Sequence, residues 1–97
     1  MNFAANASEY YEELNYCSWM GNAAYAVAKN RDLGMDEYSL IEKYLKQGDN
    51  YEEQVIVINL IDRIYGPLVY ESAFDVKIYT KSKCLGMLFS SKFDENA

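Results

Sequence analysis

The chain has no histidine and a single proline, Pro67. Without histidine it lacks the commonest general base, the commonest metal ligand and the usual switch near neutral pH. No stretch approaches the roughly 20 consecutive apolar residues that span a membrane. Basic residues are scarce: nine Lys and Arg stand against fifteen Asp and Glu, a net charge of −6. Such a balance disfavours nucleic acid and anionic membranes as partners. No basic n-region precedes an apolar h-region, so no intact signal peptide is read. Ala5-Asn6-Ala7 does have the small-x-small form of a signal peptidase site, directly before Ser8. That form is expected if a few leader residues precede a mature chain.

What is present describes one small helical domain. Ninety-seven residues, 51% of them apolar, are enough for a single core. A domain of this size buries only about 60–65% of its unfolded surface, so its stability margin is thin. Charge is uneven along the chain. Residues 1–75 hold thirteen acids and five bases, a net of −8, and residues 76–97 hold two acids and four bases, a net of +2.

The expected fold class is all-α, a four-helix domain with short connections, either an antiparallel bundle or an orthogonal array. The first helix is read from Ser8, as N-cap, to Arg31, with Gly34 as its stop. Its inner stripe is Leu14, Cys17, Gly21, Ala24 and Ala28, with Tyr16, Met20, Ala23 and Val27 beside it. Small residues there predict close approach of a second helix. The second helix spans Asp36 to Gln47, with Tyr38, Ile41, Tyr44 and Leu45 inward and Gly48 as its stop. Asn50 and Glu53 open the third. Val55-Ile56-Val57-Ile58 has strand-like composition, but Val57, Leu60 or Ile61, and Ile64 keep a helical period, and Gly66-Pro67 ends it. Ser72 caps a last helix reaching about Phe89, with Phe74, Ile78, Leu85 and Leu88 inward. Residues 1–7 and 90–97 are expected to fray.

Cys17 and Cys84 are the only cysteines. They have neither metal-ligand spacing nor a C-x-x-C arrangement, so no metal is expected. Two readings stay open: two buried thiols in a reducing compartment, or one disulfide in an oxidising one. Their positions on the first and last helices favour the bridge.

Candidate chemistry is thin. A cysteine nucleophile needs an activating base, and histidine is absent. The acid pairs Glu12-Glu13, Asp36-Glu37 and Glu52-Glu53 read as helix-surface and helix-start charge. The glycines form no phosphate-binding loop. The expectation is a non-enzyme with no cofactor and no catalytic residues. Ten tyrosines are more informative, because tyrosine is favoured at protein interfaces. Tyr10, Tyr11 and Trp19 on the first helix, Tyr65 and Tyr70 flanking the Gly66-Pro67 turn, and Asp32 are the candidate partner-binding residues.

Tyr16-Cys17 in a long first helix, an apolar third helix ending near a tyrosine, and Lys83-Cys84-Leu85 followed by Ser90 or Ser91 carry a family likeness. The pattern resembles small helical periplasmic proteins of proteobacteria. It is similar in particular to immunity proteins that neutralise peptidoglycan amidases delivered by type VI secretion. The resemblance implies a helical, often dimeric protein with a disulfide that blocks the amidase cleft through a protruding loop. Residues 31–36 and 66–71 are the nearest candidates for that loop. Arg31-Asp32-Leu33-Gly34 also resembles envelope proteins for which no activity is implied. Acid-activated periplasmic chaperones share the size and the single bridge.

Three functional readings follow. The first is a periplasmic or secreted protein-binding inhibitor, of the immunity type against a cell-wall amidase. The second is a cytoplasmic acidic inhibitor, of phage or host-defence type, that binds a nucleic-acid-handling protein. The third is a small periplasmic chaperone.

Overall fold

A computed structural model describes the backbone of residues 3–47 and 50–95, and the side chains of residues 11–47 and 50–88. Four α-helices and no strand occur among the described residues: α1 (Phe3–Asp32), α2 (Glu37–Lys46), α3 (Tyr51–Tyr65) and α4 (Ala73–Glu95). The all-α expectation holds, including the β-branched run, which lies inside α3.

Three starts follow the sequence signals. The Asp36 carboxylate accepts from the Ser39 backbone N–H at 2.9 Å, and Asn50 Oδ1 accepts from the Glu53 N–H at 2.9 Å. Ser72 Oγ accepts from the Asp75 N–H at 3.1 Å. Each side chain satisfies a donor that the first helical turn leaves without an intrahelical partner. The fourth start is a correction: α1 already runs from Phe3, so Ser8 is inside the helix and does not cap it. The far end of α4 also extends past Phe89 to Glu95. Gly48, the expected stop of α2, lies outside the described residues.

α1 and α4 form the long dimension. A helix of 30 residues is about 45 Å long, which accounts for most of the 51 Å extent of the molecule. Cys17 pairs with Cys84, while a Cβ at Gly21 would touch the Lys77 carbonyl and Lys81 Cβ, each at 3.3 Å. Contacts that climb α1 while descending α4 make the pair antiparallel. Gly21 is the point of close approach that the small-residue stripe predicts.

α3 packs on the C-terminal half of α1, and α2 packs on α3. The core gathers Ala24, Val27 and Ala28 of α1, Leu40 of α2, Val57, Leu60, Ile61 and Ile64 of α3, and Ala73 and Val76 of α4. Cys17 and Cys84 bond at an S–S distance of 2.06 Å, about two turns beyond that cluster. The bridge is therefore the joint between a four-helix core and a two-helix arm.

The inner faces differ from expectation in three places. On α4, Phe74 is 64% exposed and Ile78 is 45% exposed, and the buried line is Ala73, Val76, Thr80 and Cys84. Leu85 and Leu88 are half-buried. The reason is the close approach at Gly21: two small-residue stripes face each other, and bulky side chains turn outward. On α2, Leu40 is the buried residue, whereas Tyr38 and Leu45 are exposed. On α1, Leu14 lies in the arm, outside the core cluster, and is exposed.

Candidate functional site

The end of α1 is where the chain builds something beyond a bundle. Gly34 adopts φ +94, the left-handed region that glycine enters without a Cβ penalty. Its N–H donates to the Arg31 carbonyl at 2.9 Å, and the Met35 N–H donates to the Asn30 carbonyl at 3.0 Å. These two bonds are the Schellman closure of a helix. Met35 folds back against the core. Nothing lies within 4 Å of a Cβ placed on Gly34, so any cost of a side chain is purely a backbone cost. Gly34→Ala is expected to destabilise by about 1 kcal/mol, read as a lower urea midpoint at unchanged slope.

That closure aims Arg31 across the molecule. Its side chain is 9% exposed. Nη1 donates to the carbonyls of Ile64 at 3.2 Å and Leu68 at 3.0 Å, and Nη2 donates to the carbonyl of Glu71 at 2.6 Å. Asp32 Oδ1 accepts from Nε and Nη2 at 3.1 and 3.0 Å, which fixes the plane of the guanidinium. One cation thus supplies donors to the C-terminal end of α3, where carbonyls lack intrahelical partners and the dipole is negative. It also ties down the whole connector between α3 and α4.

The connector is otherwise short and self-bonded. Leu68 N–H donates to the Arg63 carbonyl at 2.9 Å, Val69 N–H to Gly66 at 3.1 Å and Glu71 N–H to Leu68 at 3.0 Å. Gly66 is needed here for space. A Cβ on it would sit 2.9 Å from the Asp62 carbonyl oxygen, a backbone atom that cannot step aside.

A second tie comes from Tyr65. Its hydroxyl donates to the Met35 carbonyl, joining the end of α3 to the turn after α1. Burial holds its pKa above the ordinary 10.0, and the charge of Asp36 pushes the same way against the opposing pull of Arg31. A raised pKa for an acid favours the neutral hydroxyl in the folded state. Its contribution is therefore present below pH 10.0 and lost as pH rises through the folded value. Tyr65→Phe is expected to cost about 1 kcal/mol near neutrality. The gap between the two urea midpoints should then narrow above pH 10.0. Asp36 works in the opposite range. The Ser39 hydroxyl and N–H hold its carboxylate below the ordinary value of 3.8, so its contribution is lost as pH falls through the lowered value.

Together, residues 31–37 and 64–71 make one tip at an end of the molecule. What the tip offers outward is apolar and acidic. Leu33 is 85% exposed and Tyr70 is 97% exposed, each on a connector that Arg31 holds. Asp32, Asp36 and Glu71 are exposed around them.

Of the six candidate partner-binding residues, Asp32, Tyr65 and Tyr70 come together at this tip, in different roles. Asp32 orients Arg31, Tyr65 ties the connectors, and Tyr70 faces outward. Tyr11 is exposed but lies 21 residues from Asp32 on the same helix, about 30 Å away. Trp19 is half-buried, packs on the core and lies 6.2 Å from the Tyr16 ring, centroid to centroid. The side chain of Tyr10 lies outside the described residues. Sequence reasoning missed Arg31 as a clamp and Leu33 as a displayed side chain. A signal existed for Leu33: it stands between the last turn and the stop glycine, off the apolar stripe of α1.

Among the described residues, no group of three or more His, Cys, Asp and Glu side chains is placed to hold a metal ion. No helix there is long and apolar enough to cross a membrane. The arrangement is suited to recognition: a braced projection with exposed anchors.

No protein-family model, curated protein or solved structure matches the chain.

Proposed function

We propose that this chain is a non-catalytic inhibitor that presents its acidic tip to the cation-rimmed cleft of an extracytoplasmic enzyme, of the immunity type against a peptidoglycan amidase. The observation that carries the reading is the Arg31 clamp, which braces two connectors that display Leu33 and Tyr70. A braced loop gives up little conformational entropy on binding, and exposed aromatic anchors are what inhibitory interfaces use. Asp32, Asp36 and Glu71 around the anchors favour a basic rim on the partner. The Cys17–Cys84 bond is compatible with an oxidising compartment outside the cytoplasm. It weighs against the cytoplasmic reading, which expects reduced thiols.

The test is a pull-down and inhibition assay against purified peptidoglycan amidases. Stoichiometric inhibition by the oxidised protein is expected. Leu33→Ala and Tyr70→Ala should each weaken it by about tenfold or more, with stability unchanged within about 0.5 kcal/mol because both side chains are exposed. Absence of both complex and inhibition, or full potency in the double variant, would remove the reading.

A further inference from the structure

A second feature, independent of the tip, lies along the bundle. α3 and α4 both pack on α1 but hardly on each other. Between them is a groove with a cavity of about 250 Å³. Its interior is apolar: Met20 of α1, Leu60 and Ile64 of α3, Leu68 of the connector, and Leu88 of α4. Thr80 and Cys84 line the α4 side, so the disulfide helps shape it. Tyr16, Tyr79 and Met87 border it, each more than two-fifths exposed.

The charge of this groove is opposite to that of the chain. The protein carries −6, yet the charged residues lining the groove among the described residues are Arg63 and Lys83, both cations. Lys83 Nζ sits 3.4 Å from the Tyr79 hydroxyl and 5.5 Å from the centre of its ring, so it is held at the border. An apolar slot with two cations at its edge is the complement of an amphiphile with an anionic head. Size narrows the class. A cavity of roughly 150 Å³ accepts benzene, with six carbons. By that scale about 250 Å³ accepts on the order of ten carbons. A single alkyl chain of that length fills the cavity.

We propose that the groove between α3 and α4 binds a medium-length, single-chain alkyl carboxylate, its chain against Met20, Leu60 and Ile64 and its head at Arg63 and Lys83. The proposal does not depend on the inhibitor reading, because no tip side chain that faces outward lines the groove.

Decanoate is the probe, added below its micellar concentration to the oxidised full chain and followed by titration calorimetry and native mass spectrometry. One saturable equivalent is expected. Decyltrimethylammonium, with the same chain and the opposite head, should bind about tenfold more weakly or worse. Arg63→Glu with Lys83→Glu should weaken decanoate by a similar factor. Both positions are exposed, and circular dichroism verifies that the helices persist. Met87→Glu, at another exposed position on the border, is a second block that leaves the core alone. Absence of saturable uptake, or equal affinity for the two head groups, overturns the proposal. So does a dimer that Met87→Glu dissociates while neither form takes up decanoate, since the groove would then belong to a second copy of the chain.

Discussion

Reduction of the Cys17–Cys84 bond, or Cys17→Ala with Cys84→Ala, is expected to remove a large share of the stability of the protein. The bridge spans 67 residues. The chain-entropy treatment gives such a loop about 4 kcal/mol. A domain of this length has a total of roughly 5–15 kcal/mol, so a fall in Tm of roughly 20 °C follows. The position of the bond adds a regional prediction. It sits about two turns outside the core, toward the arm of the α1–α4 pair. Beyond it neither helix contributes a residue to the core cluster. In the reduced protein, amide exchange should rise first in residues 11–16 and 85–95, while Ala24 to Ala28 and Val57 to Ile64 exchange last. Matching urea midpoints for the oxidised and reduced protein would contradict this account of the bond.

Loss of the Arg31 clamp is the next largest expected effect. Arg31→Met keeps the apolar stem but removes the charged donor from the carbonyls of Ile64, Leu68 and Glu71, leaving Leu68 only its bond from the Glu71 N–H. Hydrogen bonds from a charged donor are worth about 1.5–3 kcal/mol each, and the bonds from one guanidinium are not additive. A net cost of about 3 kcal/mol is expected. Asp32→Asn should cost far less. Asp32 is 51% exposed, and water screens its attraction to Arg31. Lysine is a poor substitute, because its ammonium cannot reproduce the fork that reaches three carbonyls. In Arg31→Lys and Arg31→Met the connector at 66–72 should gain mobility, visible as line broadening or lowered order parameters there, with α1 intact. If Arg31→Met unfolds at the same urea concentration as the parent, the clamp is not structural.

Local features were readable in advance because they depend on residues three or four apart. Asp36, Asn50 and Ser72 sit where capping chemistry puts them, and Gly34 takes the positive φ that a stop glycine implies. The cystine was also within reach, since Cys17 falls on the expected inner stripe of α1 and Cys84 stands beside Leu85 and Leu88 on the last helix. Tertiary geometry was less readable. The inward line of α4 runs through Ala73, Val76, Thr80 and Cys84. Hydrophobicity alone favours Phe74 and Ile78. Choosing between the stripes requires knowing that α1 approaches to contact distance at Gly21. The same holds for Leu40, whose burial depends on how α2 settles on α3.

The tip was half visible. Tyr65, Tyr70 and Asp32 stood out by type and by their neighbours, but their grouping did not. Arg31 reaches acceptors 33 to 40 residues away, and no periodicity in the sequence encodes such a contact. The groove was not visible either. It exists because α3 and α4 share α1 as a floor without closing on each other.

The central claim is that the braced connectors are the binding surface. The direct test is amide hydrogen exchange of the oxidised protein alone and in the presence of a peptidoglycan amidase that it is found to inhibit. Protection on binding is predicted in residues 31–37 and 66–72, with the α1–α4 arm unchanged. Protection confined to the arm or to α2, with the tip exchanging as in the free protein, would contradict the account.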